Sequence, residues 1–300
     1  MRRHLSRTWP RAERANRSPK LLRTYPDAHD AVSCDRGMQP SNFDNMKNNL
    51  PSKVVLITGG TSGIGRAAAL AFARENYRVA IAGRREEQGA AVVREIEALG
   101  GEALFVRTDV TREAELAALV ARVLERFGRL DVAFNNAGIE GHFGKTTAEQ
   151  TEQHYRQVFD ANVAGVLFAM KHEIPALLQS GGGAIINTSS VLGSVATPGT
   201  AVYTASKFAV NGLSKTAALE YASQGIRVNI VSPGPIQTEM ADRAMGPGDS
   251  EGKRQVVSQV PLGRIGTAEE VAAAVVWLAS PGAAYVTGQD ILIDGGFTAR

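Results

Sequence analysis

Cysteine is almost missing from this chain: of 300 residues only Cys34 carries a thiol, and it falls within the first 45. The rest can form no internal disulfide, use no thiol nucleophile and hold no zinc through sulfur. A reducing, cytoplasmic setting is therefore expected. Histidine is scarce as well. After residue 45 only His142, His154 and His172 remain, the first in an expected loop and the others eighteen apart on an expected helix. That is no metal-ligand spacing, so each reads as a surface or satisfied histidine and no metal site is expected. No apolar run approaches the ~18 residues of a membrane span. There is no internal repeat, no isolated carboxylate pair of the glycosidase kind, and no Ser-His-Asp set.

An excess of one charge is lacking too, once the chain is divided. The first 45 residues carry nine Lys/Arg and five Asp/Glu, and the remainder carries 24 and 25. The overall +3 thus belongs to the N-terminal segment. A near-neutral remainder argues against a nucleic-acid partner. The segment itself admits three readings: an early start codon, with Met46 opening a 255-residue core; an Arg-rich, acid-poor transit peptide; or a basic arm, whose basic stretch to about residue 25 lacks aromatic interleaving beyond Trp9 and Tyr25. Its Pro10, Pro19, Pro26 and Pro40 break any long helix, and residues 1–45 are expected to be disordered and dispensable.

What is present begins with a strand, Lys53 to Thr58, β-branched and apolar. Gly59-Gly60-Thr61-Ser62-Gly63-Ile64-Gly65 follows, then the alanine-rich helix Arg66 to Arg74. Strand, glycine turn and helix set a pyrophosphate on a helix N-terminus, and glycine lets backbone reach phosphate with no Cβ in the way. The spacing G-x-x-x-G-x-G differs from G-x-G-x-x-G, and no Lys-Ser/Thr closes it as a P-loop would. Helices expected at 86–99, 111–127 (Thr111 as its cap), 151–179, 201–222 and 268–279 alternate with strands at 78–82, 102–107, 130–134, 183–188, 226–231 and 290–294. This rhythm specifies an α/β fold: one doubly wound parallel sheet of Rossmann type in a single domain, residues 46–300.

Three further patterns fall at strand ends, where ligands of such sheets bind. Asn135-Asn136-Ala137-Gly138 ends one strand and Pro233-Gly234 another. Ser190 precedes Tyr203-x-x-x-Lys207 by thirteen residues. On a helix, positions four apart share a face, so phenol and ammonium project side by side. Bringing a tyrosine from pKa ~10 to ~7 needs roughly 4 kcal/mol, and a cation ~4 Å away at an effective dielectric constant of ~20 supplies about that.

With these pieces in order, the chain resembles the classical short-chain dehydrogenase/reductase family over about residues 50 to 298. The resemblance implies an oxidoreductase moving a hydride between a nicotinamide dinucleotide and a ketone or secondary alcohol. It implies Tyr203 as acid/base, Ser190 as the hydrogen bond to substrate oxygen, Lys207 on the nicotinamide ribose, and Asn162 anchoring a relay water. It places the cofactor against Gly59, Thr61, Ser62, Gly63, Ile64, Gly65, Asp109, Val110, Asn136, Ala137, Gly138, Tyr203, Lys207, Pro233, Gly234, Ile236 and Thr238. At the end of the second strand Gly83 stands where NAD-binding folds put an acid, and Arg84-Arg85 follow. NADP(H) is therefore expected, with NAD(H) as the alternative. A substrate wall is expected near 140–143, 191–196 and 236–245, with 246–252 as a mobile lid. The helices at 151–179 and 201–222 carry small residues suited to close packing between subunits, and a homotetramer is expected. The alternative from another class is a non-catalytic dinucleotide-binding regulator, which usually lacks the tyrosine or lysine.

Overall fold

Short β-branched runs and alanine-rich amphipathic stretches set the element order in a computed structural model that describes residues 52–299. The proposed N-terminal extension lies outside the described residues. Seven parallel strands form one sheet in the order β3-β2-β1-β4-β5-β6-β7. They are β1 (Val54–Thr58), β2 (Arg78–Gly83), β3 (Ala103–Arg107), β4 (Val132–Asn135), β5 (Gly183–Thr188), β6 (Ile226–Pro233) and β7 (Asp290–Ile293). Alternation splits β1 between two cores. Val54 and Leu56 pack with α3 (Glu113–Phe127), α5 (Gly165–Gln179) and α6 (Ala201–Tyr221). Val55 and Ile57 pack with α1 (Gly63–Arg74), α2 (Glu86–Ala98) and α9 (Ala268–Ala279). Both faces are covered, as a parallel sheet requires.

The strand order reverses between β1 and β4, whose last residues, Thr58 and Asn135, are register partners. That reversal opens a crevice at the carboxyl ends of the strands. The site is built there.

Three expectations need correction. The stretch 151–179 is not one α-helix. It comprises α4 (Glu152–Phe159), a π turn (Asp160–Ala164) and α5. Asn162 lies within the π turn, its side chain drawn inward to bond the backbone of Ile139; π turns are frequent at functional sites. Thr111 does not cap α3. Its hydroxyl donates to Asp109 Oδ1 at 2.8 Å, and the helix starts after Arg112, which makes no side-chain cap bond. The expected lid at 246–252 is partly helical: α7 (Glu239–Met245) precedes it and α8 (Glu251–Val257) begins within it, each opened by a side-chain cap, Thr238 and Ser250.

Candidate active site

The glycine turn is built for close approach. Gly59 and Gly63 sit at φ +66° and +51°, a region in which side chains are strained. A Cβ on Gly65 would collide with the Gly59 carbonyl. Ser62 precedes α1 with its side chain making no cap bond, so the first-turn amides keep their donors for an anion. Thr58 Oγ1 accepts the amides of Asn136 and Ala137 at 3.1 and 3.2 Å, and Asn136 Nδ2 donates to the carbonyls of Thr58 and Gly59 at 3.3 Å. The turn and the segment after β4 thereby form one rigid wall. Thr238 closes the other side: its Cγ2 lies 3.2 Å from where a Cβ on Gly63 would stand. Ile236 is buried beside it, and Gly234 donates to the Ile293 carbonyl at 2.9 Å. These residues fit an extended dinucleotide with its pyrophosphate on α1.

At the adenosine end, Arg85 rather than Arg84 touches the turn. Its guanidinium donates to Ser62 Oγ at 2.5 Å and to Glu239 Oε2 at 2.8 Å. Arg84 is exposed. Asp109 is held below the usual carboxylate range: burial opposes this, but the Thr111 bonds and the Arg84 charge outweigh it. Val110 packs on Gly165 at the start of α5.

The catalytic candidates converge from three elements. Lys207 is 5% exposed and its Nζ donates to the Thr188 carbonyl at 3.0 Å. It lies 5.5 Å from the centre of the Tyr203 ring. Burial pushes the ammonium down to about 8. Ser190 hydrogen-bonds the Tyr203 phenol, whereas Ser189 donates to the Lys207 carbonyl at 3.2 Å and is buried against α6. Asn162 Oδ1 accepts the Ile139 amide at 2.8 Å, and its Nδ2 donates to the Ile139 carbonyl at 3.0 Å and to Ser206 Oγ at 3.1 Å. A Cβ on Gly138 would lie 3.1 Å from Asn162 Oδ1 and 3.7 Å from Lys207 Nζ. Gly138 thus keeps the passage between them open.

The electrostatics differ from the expectation for an isolated Tyr-Lys pair. Burial pushes the Tyr203 phenol up to about 12; the Ser190 bond works the other way and the Glu140 charge adds to the rise. Lys207 directs one of its ammonium hydrogens to the Thr188 carbonyl. The pair alone therefore does not prepare a phenolate.

Several site residues escaped the sequence reading. Asn135 Nδ2 donates to Glu173 Oε2 at 2.9 Å and to Asn187 Oδ1 at 3.0 Å, and Asn187 passes the chain on to Ser214 Oγ at 2.8 Å. Glu173 is 1% exposed, and burial pushes it up to about 7. The available signal was weak: Glu173 is the one carboxylate of the helix Gly165–Gln179, but it directly follows Lys171 and His172. Glu140, named only as a wall residue, makes a two-pronged ion pair with Arg243 of α7 at 2.7 and 3.3 Å. Phe143 meets the Tyr203 ring edge-on, centroids 5.5 Å apart.

Comparison with known proteins agrees with this geometry. A family model described as enoyl-(acyl carrier protein) reductase matches residues 59–298. Cyclohexanol dehydrogenase of Acinetobacter sp. (strain SE19) is 40% identical over 255 residues, 85% of this chain and 98% of that one. A 2,5-dichloro-2,5-cyclohexadiene-1,4-diol dehydrogenase of Sphingobium indicum is 42% identical over 254 residues, 84% and 99% of the two chains. Among solved structures, a variant actinorhodin polyketide ketoreductase with NADPH superposes with a TM-score of 0.79 at 37% identity, covering 83% of this chain and 98% of that one. The non-catalytic regulator gains no support from these relatives. With glycine turn, Asn-Asn-Ala-Gly segment and Ser-Tyr-Lys set in one crevice, the chain belongs to the short-chain dehydrogenase/reductase family.

Proposed function

We propose that this oxidoreductase interconverts a ketone and its secondary alcohol, with Tyr203 as proton donor in reduction and acceptor in oxidation. The observation that carries this is the convergence of Ser190, Tyr203 and Lys207 beside the glycine cradle. When bound, the nicotinamide dinucleotide supplies or accepts the hydride. The chain's own work is positional and electrostatic. Ser190 orients the substrate oxygen and stabilises its developing charge. Lys207, already buried and drawn toward the cleft, holds the nicotinamide ribose and lowers the barrier to losing the Tyr203 proton. Asn162 pins Ile139 and Ser206 and anchors the water that links Lys207 to solvent. A panel of cyclic and open-chain ketones with NADPH and NADH, followed at the reduced-nicotinamide band, tests this reading; no turnover of any ketone or alcohol would sink it.

NADP(H) is the preferred coenzyme in this proposal. Gly83 leaves no carboxylate to bind a ribose diol, and Arg84 and Arg85 offer a guanidinium for the 2′-phosphate. Exposed charge pairs are worth about 1 kcal/mol, and charge-assisted phosphate contacts about 1.5–3 kcal/mol. Arg84→Ala and Arg85→Ala are each expected to lower kcat/KM with NADPH roughly ten- to a hundredfold and to change NADH little. Equal losses with both coenzymes would show that the arginines are only a solvated helix start.

A homotetramer is proposed from the α4–α6 face. Tyr155, Leu167, Phe208 and Leu219 are exposed there at 49%, 41%, 48% and 86%, apolar side chains that a subunit contact would cover. Gly212 of α6 has open space above it, which lets a second helix approach closely. Ala161, Gly165 and Ala217, small residues of the two stretches expected to pack between subunits, are instead buried within the subunit. Light scattering at micromolar concentration should return about four times the subunit mass; a monomer would contradict the proposal.

A further inference from the structure

The loop between β4 and α4 carries both Glu140 and Phe143 to the Tyr203 side of the cleft, and one histidine holds it. His154, on α4, is only 5% exposed. Its Nε2 accepts the His142 backbone amide at 2.8 Å, and its Nδ1 lies 2.5 Å from Gln150 Oε1. A glutamine oxygen can only accept, so Nδ1 carries the proton and Nε2 is the free acceptor. The His142 ring stacks on it, centroids 4.7 Å apart. Gly141, at φ +69°, brings the loop so near that a Cβ would collide with the imidazole. On the far side the loop is tied down by the Gly144 amide, which donates to the Gly199 carbonyl at 3.0 Å just before α6.

We infer that His154 is a positioning residue for the substrate wall: its neutral ring, fixed in one tautomer by Gln150, anchors the loop that sets Glu140 and Phe143 beside Tyr203. Only the neutral ring can do this. A proton on Nε2 would face the His142 amide donor to donor, and a charged His142 would add repulsion across the stack. The titratable groups that act on His154 are His142 and Lys145, both from the loop. The π turn and α6, which also pack on α4, add no charge that shifts it. Burial first, then electrostatic repulsion from these two side chains, holds it below the ordinary histidine range. The anchor is thus in place at neutral pH and loosens as pH falls. Bound substrate gains from a wall already in position, so the loss falls on KM more than on kcat.

The inference rests on the substrate-side assignment proposed above, so one readout is independent of turnover. Hydrogen exchange of amides 140–145, corrected for intrinsic rates, is compared at about pH 7.5 and about pH 5.5 for wild type, His154→Gln and His154→Leu. Protection in the wild type should drop several-fold on acidification. His154→Leu should be unprotected at both values, and His154→Gln, which offers an uncharged acceptor at the same reach, should be protected at both. With cyclohexanone as probe, His154→Leu should raise KM about tenfold and His154→Gln by no more than about threefold. Gly141→Ala, which disturbs the anchor from the loop side, should mimic His154→Leu while coenzyme affinity stays unchanged. Wild-type protection and KM in His154→Leu, or a glutamine variant as poor as the leucine one, overturns the inference. If the wild type reduces no ketone, the substrate assignment fails and the exchange data still decide the anchor.

Discussion

Tyr203→Phe is expected to lower kcat by about a thousandfold while coenzyme affinity stays within about twofold. The change removes one oxygen and leaves the ring. The Phe143 edge contact and the Lys207–Thr188 bond persist, so the cleft keeps its shape. What goes is the proton that must reach the substrate oxygen as the hydride arrives, and positioned acid–base groups contribute about 10²–10⁴-fold. The measurement is steady-state kinetics beside coenzyme titration by fluorescence. A variant keeping most of its rate would remove Tyr203 from the chemistry. The neighbouring serines sharpen the test. Ser190 bonds the phenol, and Ser189 bonds the backbone of Lys207. Ser190→Ala should therefore act on kcat, and Ser189→Ala on stability.

A second large effect is expected from pH acting on the buried carboxyl of Glu173. In the folded chain burial raises it from 4.5 to about 7. A group raised on folding holds its proton more tightly in the native state. Its contribution is full below the unfolded value, near 4.5, and is lost as pH climbs through about 7. At one pKa unit per ~1.4 kcal/mol, the loss between the two limits is of order 3 kcal/mol. Glu173→Gln keeps an acceptor for Asn135 Nδ2 and has amide hydrogens for Asn135 Oδ1, a buried oxygen that finds no other partner. The glutamine variant should therefore melt several degrees above the wild type near pH 8 and match it near pH 5. Parallel melting curves across that range would mean Glu173 does not titrate on folding.

Much of this was legible because the fold writes itself in local patterns. β1 is five consecutive buried residues, and its continuation through glycines into an alanine helix leaves few alternatives. The Tyr203–Lys207 spacing on α6 was equally readable, since a helix converts spacing into direction. What the sequence concealed were contacts between residues far apart in the chain. Nothing local links Glu173 to Asn135, Arg243 to Glu140, or Arg85 to Glu239. The surroundings of the Tyr203 phenol were hidden for the same reason. Its neighbour in sequence, Lys207, was visible, but its burial and the Glu140 charge were not. His154 looked like one more helix histidine because the loop it holds meets it through a backbone amide, which carries no sequence signal.

The π turn at Asp160–Ala164 bears on how such a chain can diverge. A single π turn amounts to one residue more than an α-helix of the same rise would hold. Substitutions on either side leave that surplus intact. Loss of one residue here would restore α geometry and leave the flanking turns in register, because the wide turn is what absorbs the surplus. What would go is the local bulge that turns Asn162 toward Ile139, while α4 and the His154 contact stayed in place. A one-residue deletion between α4 and α5 would thus strike the site and spare the scaffold.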